Sequence, residues 1–215
     1  MSSKPYAVGR LDDMPLVSSS AAFGVRPLRL HFGINSFGIN AYSAGAGERV
    51  IEEHDELGQG AGRHEELYFV ASGHATFELG GEEVDAPAGT LVFVRDPALR
   101  RGAVATDGDA TVLVVGGVPG RAFEPSPWEA WLAAKPLLDA GQPDRGAAVF
   151  LEALERHPGN PNVLYNLACF ESLAGRTEDA LGHLAQAVER DQRMRQWART
   201  DEDFAAIRDD PRFPG

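Results

Sequence analysis

GQGAGRHEELYFVASG, residues 58–73, contains the stretch that decides the fold. Within it, EELYFVA is rich in aromatic and β-branched residues and ends at a turn glycine, the composition of a β-strand. Side chains alternate along a strand. Glu66, Tyr68 and Val70 therefore share one face, and Leu67, Phe69 and Ala71 the other. Both faces are apolar apart from the glutamate. A strand with one wet face should alternate, so part of its outer surface is expected to be covered, either by the other half of the chain or by a second copy.

Working outward, LRLHF, FGINAYSA, RVIEE, ATFEL, TLVFV and TVLVV read as further strands, separated by Gly, Pro and Asp turns. Gly80-Gly81 is placed as a hairpin turn. The spacing leaves no room for crossover helices, so an antiparallel sandwich or barrel is expected up to about residue 123. The first 24 residues are set apart as an N-terminal extension.

After EPSPW, residues 124–128, the texture changes to Ala and Leu at helical spacing. A self-comparison at an offset of 34 pairs Gly141 with Gly175, Gly146 with Ala180, Phe150 with Leu184 and Ala153 with Ala187. Small residues recur where helices turn and cross, with a large apolar residue between them. This resembles the tetratricopeptide repeat. Leu164, Leu167 and Ala168 fill first-helix positions, and Glu171 stands where that pattern has an aromatic. The tail RQWARTDEDFAAIRDDPRF is expected to cap the repeats, with Thr200 or Asp201 as an N-cap. Trp128 and Trp131 serve either as repeat core or as packing against the barrel.

The chain of 215 residues has a net charge of −12. Residues 1–123 and 124–215 each carry 10 Lys and Arg against 16 Asp and Glu, so no basic arm exists to wrap nucleic acid. No apolar run is long enough to span a bilayer. The start lacks the pattern of a secretory leader, and the single cysteine, Cys169, builds no disulfide framework. A cytoplasmic address is expected. Cys169 reads as a small core residue, His74 as a strand surface residue, His157 as a helix-end cation and His183 as exposed on a helix; alternation leaves the direction of His31 open.

The region 25–123 resembles the cupin superfamily, RmlC-like jelly rolls that often hold a metal inside the barrel. Glu66 followed by Gly73 keeps the glutamate-to-glycine half of the first cupin motif, and APAGTLVFV keeps the start of the second. The resemblance implies two first-motif histidines, but these positions hold Gly60 and Gly62, or Gln59 and Ala61. The second-motif histidine position holds Arg100. Glycine and alanine offer no donor atom, and guanidinium stays protonated and repels a cation. No metal is therefore expected at the family's usual positions.

Two readings follow. In the first, an arginine takes over the metal's charge-compensating role by pairing with Glu66. A pocket for a small molecule then centres on Glu66, Tyr68 and Arg100, with Arg101 able to exchange roles with Arg100 through a one-residue slip. No cofactor is needed, and the helical repeats present a groove to a protein partner. In the second, His54, Glu56, Glu66 and His64 rebuild a site for one divalent transition metal. By resemblance that protein would be a dioxygenase or isomerase. The first reading is preferred, as a binding or structural module rather than an enzyme. A homodimer is expected, because cupins often pair through a sheet face.

Overall fold

A computed structural model describes residues 5–18 and 23–214. The chain divides into two compact units, Met1–Pro125 and Ser126–Gly215. Residues 1–4 and 19–22 of the expected extension lie outside the described residues. The remainder belongs to the first unit, supplying a 3-10 turn at Leu11–Asp13 and strand β1, Val17–Ser18.

The first unit contains β2 (Phe23–Arg26), β3 (Gly38–Ala44), β4 (Arg49–His54), β5 (Glu65–Ser72) and β6 (His74–Leu79). These are followed by β7 (Glu82–Pro87), β8 (Leu91–Val94), β9 (Arg101–Ala105) and β10 (Ala110–Gly117). They form two antiparallel sheets, one of six strands in the order β1-β2-β3-β10-β5-β8 and one of four in the order β4-β9-β6-β7. Sequence neighbours β4 and β5 fall in different sheets, as do β7 and β8, which is the crossing pattern of a jelly roll. Gly80 and Gly81 join β6 to β7 with φ of +62° and +93°, the left-handed conformations of a two-residue hairpin turn.

Between the sheets lies an apolar core of Val50, Ile51, Tyr68, Val70, Phe77, Val92, Val94, Val112 and Val114. The predicted alternation holds on β5: Glu66, Tyr68 and Val70 are buried, while Leu67 is exposed.

LRLHF is not a strand. Leu28–Phe32 forms a short helix, α1, ended by Gly33 in the left-handed conformation. Leu28 and Phe32 are four apart, so one helical face carries both onto Met14, Ala41, Ile39 and Leu113. The chain's own N-terminal segment thus covers the outer face of β3 and β10. Farther along the same sheet Leu67, Leu91 and Phe93 stay exposed within this chain.

The second unit is all helical: α2 (Glu129–Asp139), α3 (Pro143–Arg156), α4 (Pro161–Leu173), α5 (Thr177–Arg190) and α6 (Arg193–Thr200). Asn160 caps α4 through bonds from the Asn162 and Val163 amides, and Pro161 opens the helix where no amide partner is needed. Helix α4 is buried nearly all round. Gly146 on α3 is a close-approach residue, since a Cβ there would lie 2.2 Å from Phe170 Cε1. Phe150 and Phe170 pack with ring centroids 5.1 Å apart, and Trp131 joins this helical core. The tail places Phe204 and Ile207 in the same core. Asp201 is the cap, accepting from the Asp203 amide at a 3-10 turn, Glu202–Phe204. Helix α6 begins before it, at Arg193.

Candidate functional site

Glu66 and Tyr68 stand two apart on β5, so both point into the barrel. Arg101 opens β9 directly opposite His54 at the end of β4. The four side chains converge. Arg101, with no exposed side-chain surface, places Nη2 2.5 Å and Nε 3.2 Å from Glu66 Oε2. Its Nε also reaches Tyr68 Oη at 3.2 Å, and Nη1 donates to the carbonyls of Pro97 and Leu99 at 3.2 and 3.0 Å. Tyr68 donates its hydroxyl to the same Glu66 oxygen at 2.5 Å.

The electrostatics follow from this crowding. Burial pushes the Glu66 carboxyl upward, but the adjacent His54 ring, hydrogen bonds from Tyr68 and Arg101, and the guanidinium charge outweigh it and hold the group at about 2. Burial and the adjacent Glu66 charge raise the Tyr68 phenol well above its ordinary value. His54 Nε2 lies 3.6 Å from Glu66 Oε2, and Nδ1 is 2.7 Å from the Glu52 carbonyl. A carbonyl only accepts, so Nδ1 carries a hydrogen and the neutral ring would turn a lone pair toward a carboxylate. Burial lowers the His54 pKa, yet Glu66 and the Glu52 carbonyl raise it further, for a net upward shift.

Arg100 does not enter the pocket, contrary to the first sequence assignment. It precedes β9, is exposed, and hydrogen-bonds Glu53. Successive residues at a strand start face opposite ways, and the turn at 95–99 puts the inward position one residue later than motif counting does. Arg101 takes the place assigned to Arg100.

The alternative set is partly assembled. His54, Glu56 and Glu66 bring ligand-type atoms within 4.8 Å of one another. His64 is not in that group; its Nδ1 lies 3.9 Å from Glu56 Oε2 and its ring stacks against Phe123. Glu56 Oε2 also accepts from the Gly62 and His64 amides at 2.8 and 3.2 Å, so this carboxylate clamps the glycine-rich loop before β5.

Sequence reasoning missed Asn40. Its side chain is buried, and Oδ1 has no hydrogen-bond partner among the described residues. The signal was a lone amide in FGINAYSA, at an inward position of the strand. In the helical unit, His183 is not simply exposed. Its Nδ1 lies 2.7 Å from Oε2 of the buried Glu171. Cys169 is buried beside Asp201 and Asp203, where burial, then the two carboxylates, push its thiol pKa up. Tyr165 donates to Asp201 at 2.8 Å, so this cluster ties the tail to α4.

The tetratricopeptide repeat family matches residues 137–200. Among solved structures, a cupin protein from Bacteroides fragilis is 19% identical, with a TM-score of 0.43, over 54% of this chain and 87% of its own. A sugar phosphate isomerase of the cupin superfamily from Silicibacter pomeroyi is 18% identical, with a TM-score of 0.42, over 50% of this chain and 73% of its own. A predicted oxalate decarboxylase from Thermotoga maritima is 17% identical, with a TM-score of 0.42, over 51% of this chain and 97% of its own. No curated protein matches the chain.

Proposed function

Starting from a cupin-type jelly roll joined to tetratricopeptide-like helices, we propose that this protein is a metal-independent small-molecule-binding module coupled to a protein-interaction region. The observation that carries this reading is the position of Arg101. A divalent ion held by His54, Glu56 and Glu66 would have to draw on the Glu66 carboxylate, whose charge is already balanced by Arg101 and whose Oε2 accepts from Arg101 and Tyr68. The guanidinium is fully buried and stays protonated, so it cannot make way by losing charge. At about 4 Å and an effective dielectric of about 20, each pair of unit charges costs roughly 4 kcal/mol, and the ion carries two. Of the donor set, Glu66 is already neutralised by Arg101 and Glu56 Oε2 already accepts from two backbone amides, which makes it a poor fit for a divalent cation.

In this reading Arg101 is a cross-link rather than a ligand clamp, because four of its five N–H donors go to Glu66, Tyr68 and two carbonyls. Glu66 and Tyr68 form a fixed polar floor, and His54, a third exposed, is the group left to meet a ligand at the mouth. No catalytic step is assigned. The reading also includes a cytoplasmic homodimer with a protein partner on the helical unit.

Metal analysis tests it. Protein purified without added metal should carry far less than one transition-metal ion per chain. Stoichiometric metal that vanishes in a His54→Ala, Glu66→Ala double variant would overturn the reading and favour the metalloenzyme.

A further inference from the structure

Each of the two sheets ends in an outer strand on either side, whose unpaired N–H and C=O groups can template a further strand. Three of these four edges carry features that discourage such pairing. Among the described residues β1 spans only Val17 and Ser18. Strand β4 shifts register twice against β9 and exposes Glu52 and Glu53. Strand β7 carries Glu82, Glu83, Asp85 and a terminal Pro87. The fourth edge, β8, is different: Leu91–Val94 runs in unbroken register along β5, without charge or proline.

The main-chain groups that β8 leaves free follow from its ladder. The Val70 amide donates to the Thr90 carbonyl at 3.0 Å. Bonded and non-bonded pairs alternate along an antiparallel ladder, so Tyr68 with Val92 and Glu66 with Val94 are the bonded pairs. The N–H and C=O of Leu91 and Phe93 therefore turn away from β5. The same two residues carry exposed side chains, at 61% and 49%, and Leu67 lies opposite Phe93 on the outer face of the sheet.

We infer that β8 pairs antiparallel with β8 of a second copy of this chain, about a two-fold axis at Val92. This rests on the homodimer of the reading above and names its interface, which is an edge and not a sheet face. Val92 meets its own counterpart, and Leu91 of each copy lies opposite Phe93 of the other. The free main-chain groups of both residues are then exchanged, and an aliphatic side chain packs on an aromatic one at both crossings. A second copy fits better than an unrelated peptide because the strand complements itself. Arg95, whose guanidinium lies 5.5 Å from the Phe93 ring centroid, falls toward Gly89 of the second copy and away from the other Arg95. In a chain with a net charge of −12, an uncharged strip is where two copies can meet with least repulsion.

Sedimentation equilibrium of the full chain tests the pairing, with circular dichroism as the check on folding. The wild type should be dimeric at high micromolar concentration. Leu91→Glu and Phe93→Lys should each weaken the dimer by at least about tenfold, since the symmetry applies each change twice. The double variant should recover most of that loss, because the new carboxylate lies opposite the new ammonium in this register. A double variant no better than the singles would overturn the pairing. A dimer untouched by the single variants would also overturn it, while leaving the homodimer standing on another face. A monomeric wild type would overturn both and leave β8 to an extended peptide of another protein. Should the variants fail to fold, hydrogen exchange in the wild type decides. The Leu91 and Phe93 amides should be protected in concentrated protein and lose that protection on dilution, and fast exchange within an established dimer would contradict the pairing. Metal content tests the binding-module reading separately, so either can fail alone.

Discussion

Arg101 Nη2 lies 2.5 Å from Glu66 Oε2 in the first unit's core, while the adjacent Arg100 turns out to Glu53. The two arginines are therefore predicted to behave oppositely. Removing the Arg101 side chain strands a buried carboxylate, so Arg101→Ala should cost on the order of 3–5 kcal/mol in unfolding free energy. Arg100→Ala breaks only an exposed pair and should melt at the wild-type temperature. Thermal or urea unfolding of the two variants side by side checks this.

Glu66 also sets an acid limit. Its folded carboxyl stands at about 2 against an ordinary 4.5, so the stability it contributes is intact above 4.5 and drains away as pH falls toward about 2. The loss should amount to roughly 3 kcal/mol over that window. Glu66→Gln should be less stable near neutrality yet show a flatter acid limb. Urea unfolding at several pH values would show it.

The helical unit should respond in the opposite direction. The bond to Glu171 raises the His183 pKa above 6.5. Its contribution is complete below 6.5 and is lost as pH rises through the higher folded value. Between about pH 6 and about pH 8.5 the wild type should lose more stability than His183→Gln, by about 1 kcal/mol. Equal slopes would mean the pair contributes nothing.

Two helical glycines should give opposite results. Alanine is favoured over glycine in a helix interior by about 1 kcal/mol. At Gly182 on α5 an added Cβ meets nothing within 4 Å, so Gly182→Ala should stabilise by up to about 1 kcal/mol. At Gly146 the Cβ would overlap the buried ring of Phe170, and overpacking of about 1–3 kcal/mol outweighs the propensity gain. Gly146→Ala should melt lower than wild type.

Much of this architecture is legible in the chain because periodicity is local. The alternation of EELYFVA, the Gly80-Gly81 turn and the paired positions around Gly146 and Ala180 each state a geometry within a few residues. LRLHF misled because five residues of alternating character fit a strand, while the i, i+4 pair Leu28 and Phe32 equally fits one turn of helix packed on Ala41 and Leu113. Of the candidate site, Glu66 and Tyr68 could be read, since strand parity fixes them. The choice between Arg100 and Arg101 could not, because it depends on how many residues the 95–99 turn consumes. The meeting of His54 with Glu66, which joins strands from different sheets, is readable as a shared ion site, but its place beside Arg101 is not. Asn40 stood in plain view, but an inward polar residue gains meaning only once its neighbours are seen to leave it unpaired.

The most direct test of guanidinium neutralisation is a double-mutant cycle on Glu66 and Arg101. Glu66→Gln and Arg101→Met should each destabilise strongly. The double variant should be much more stable than the sum of the two losses implies, with a coupling of about 2 kcal/mol or more. Additive losses would contradict it, leaving the two side chains adjacent but energetically independent.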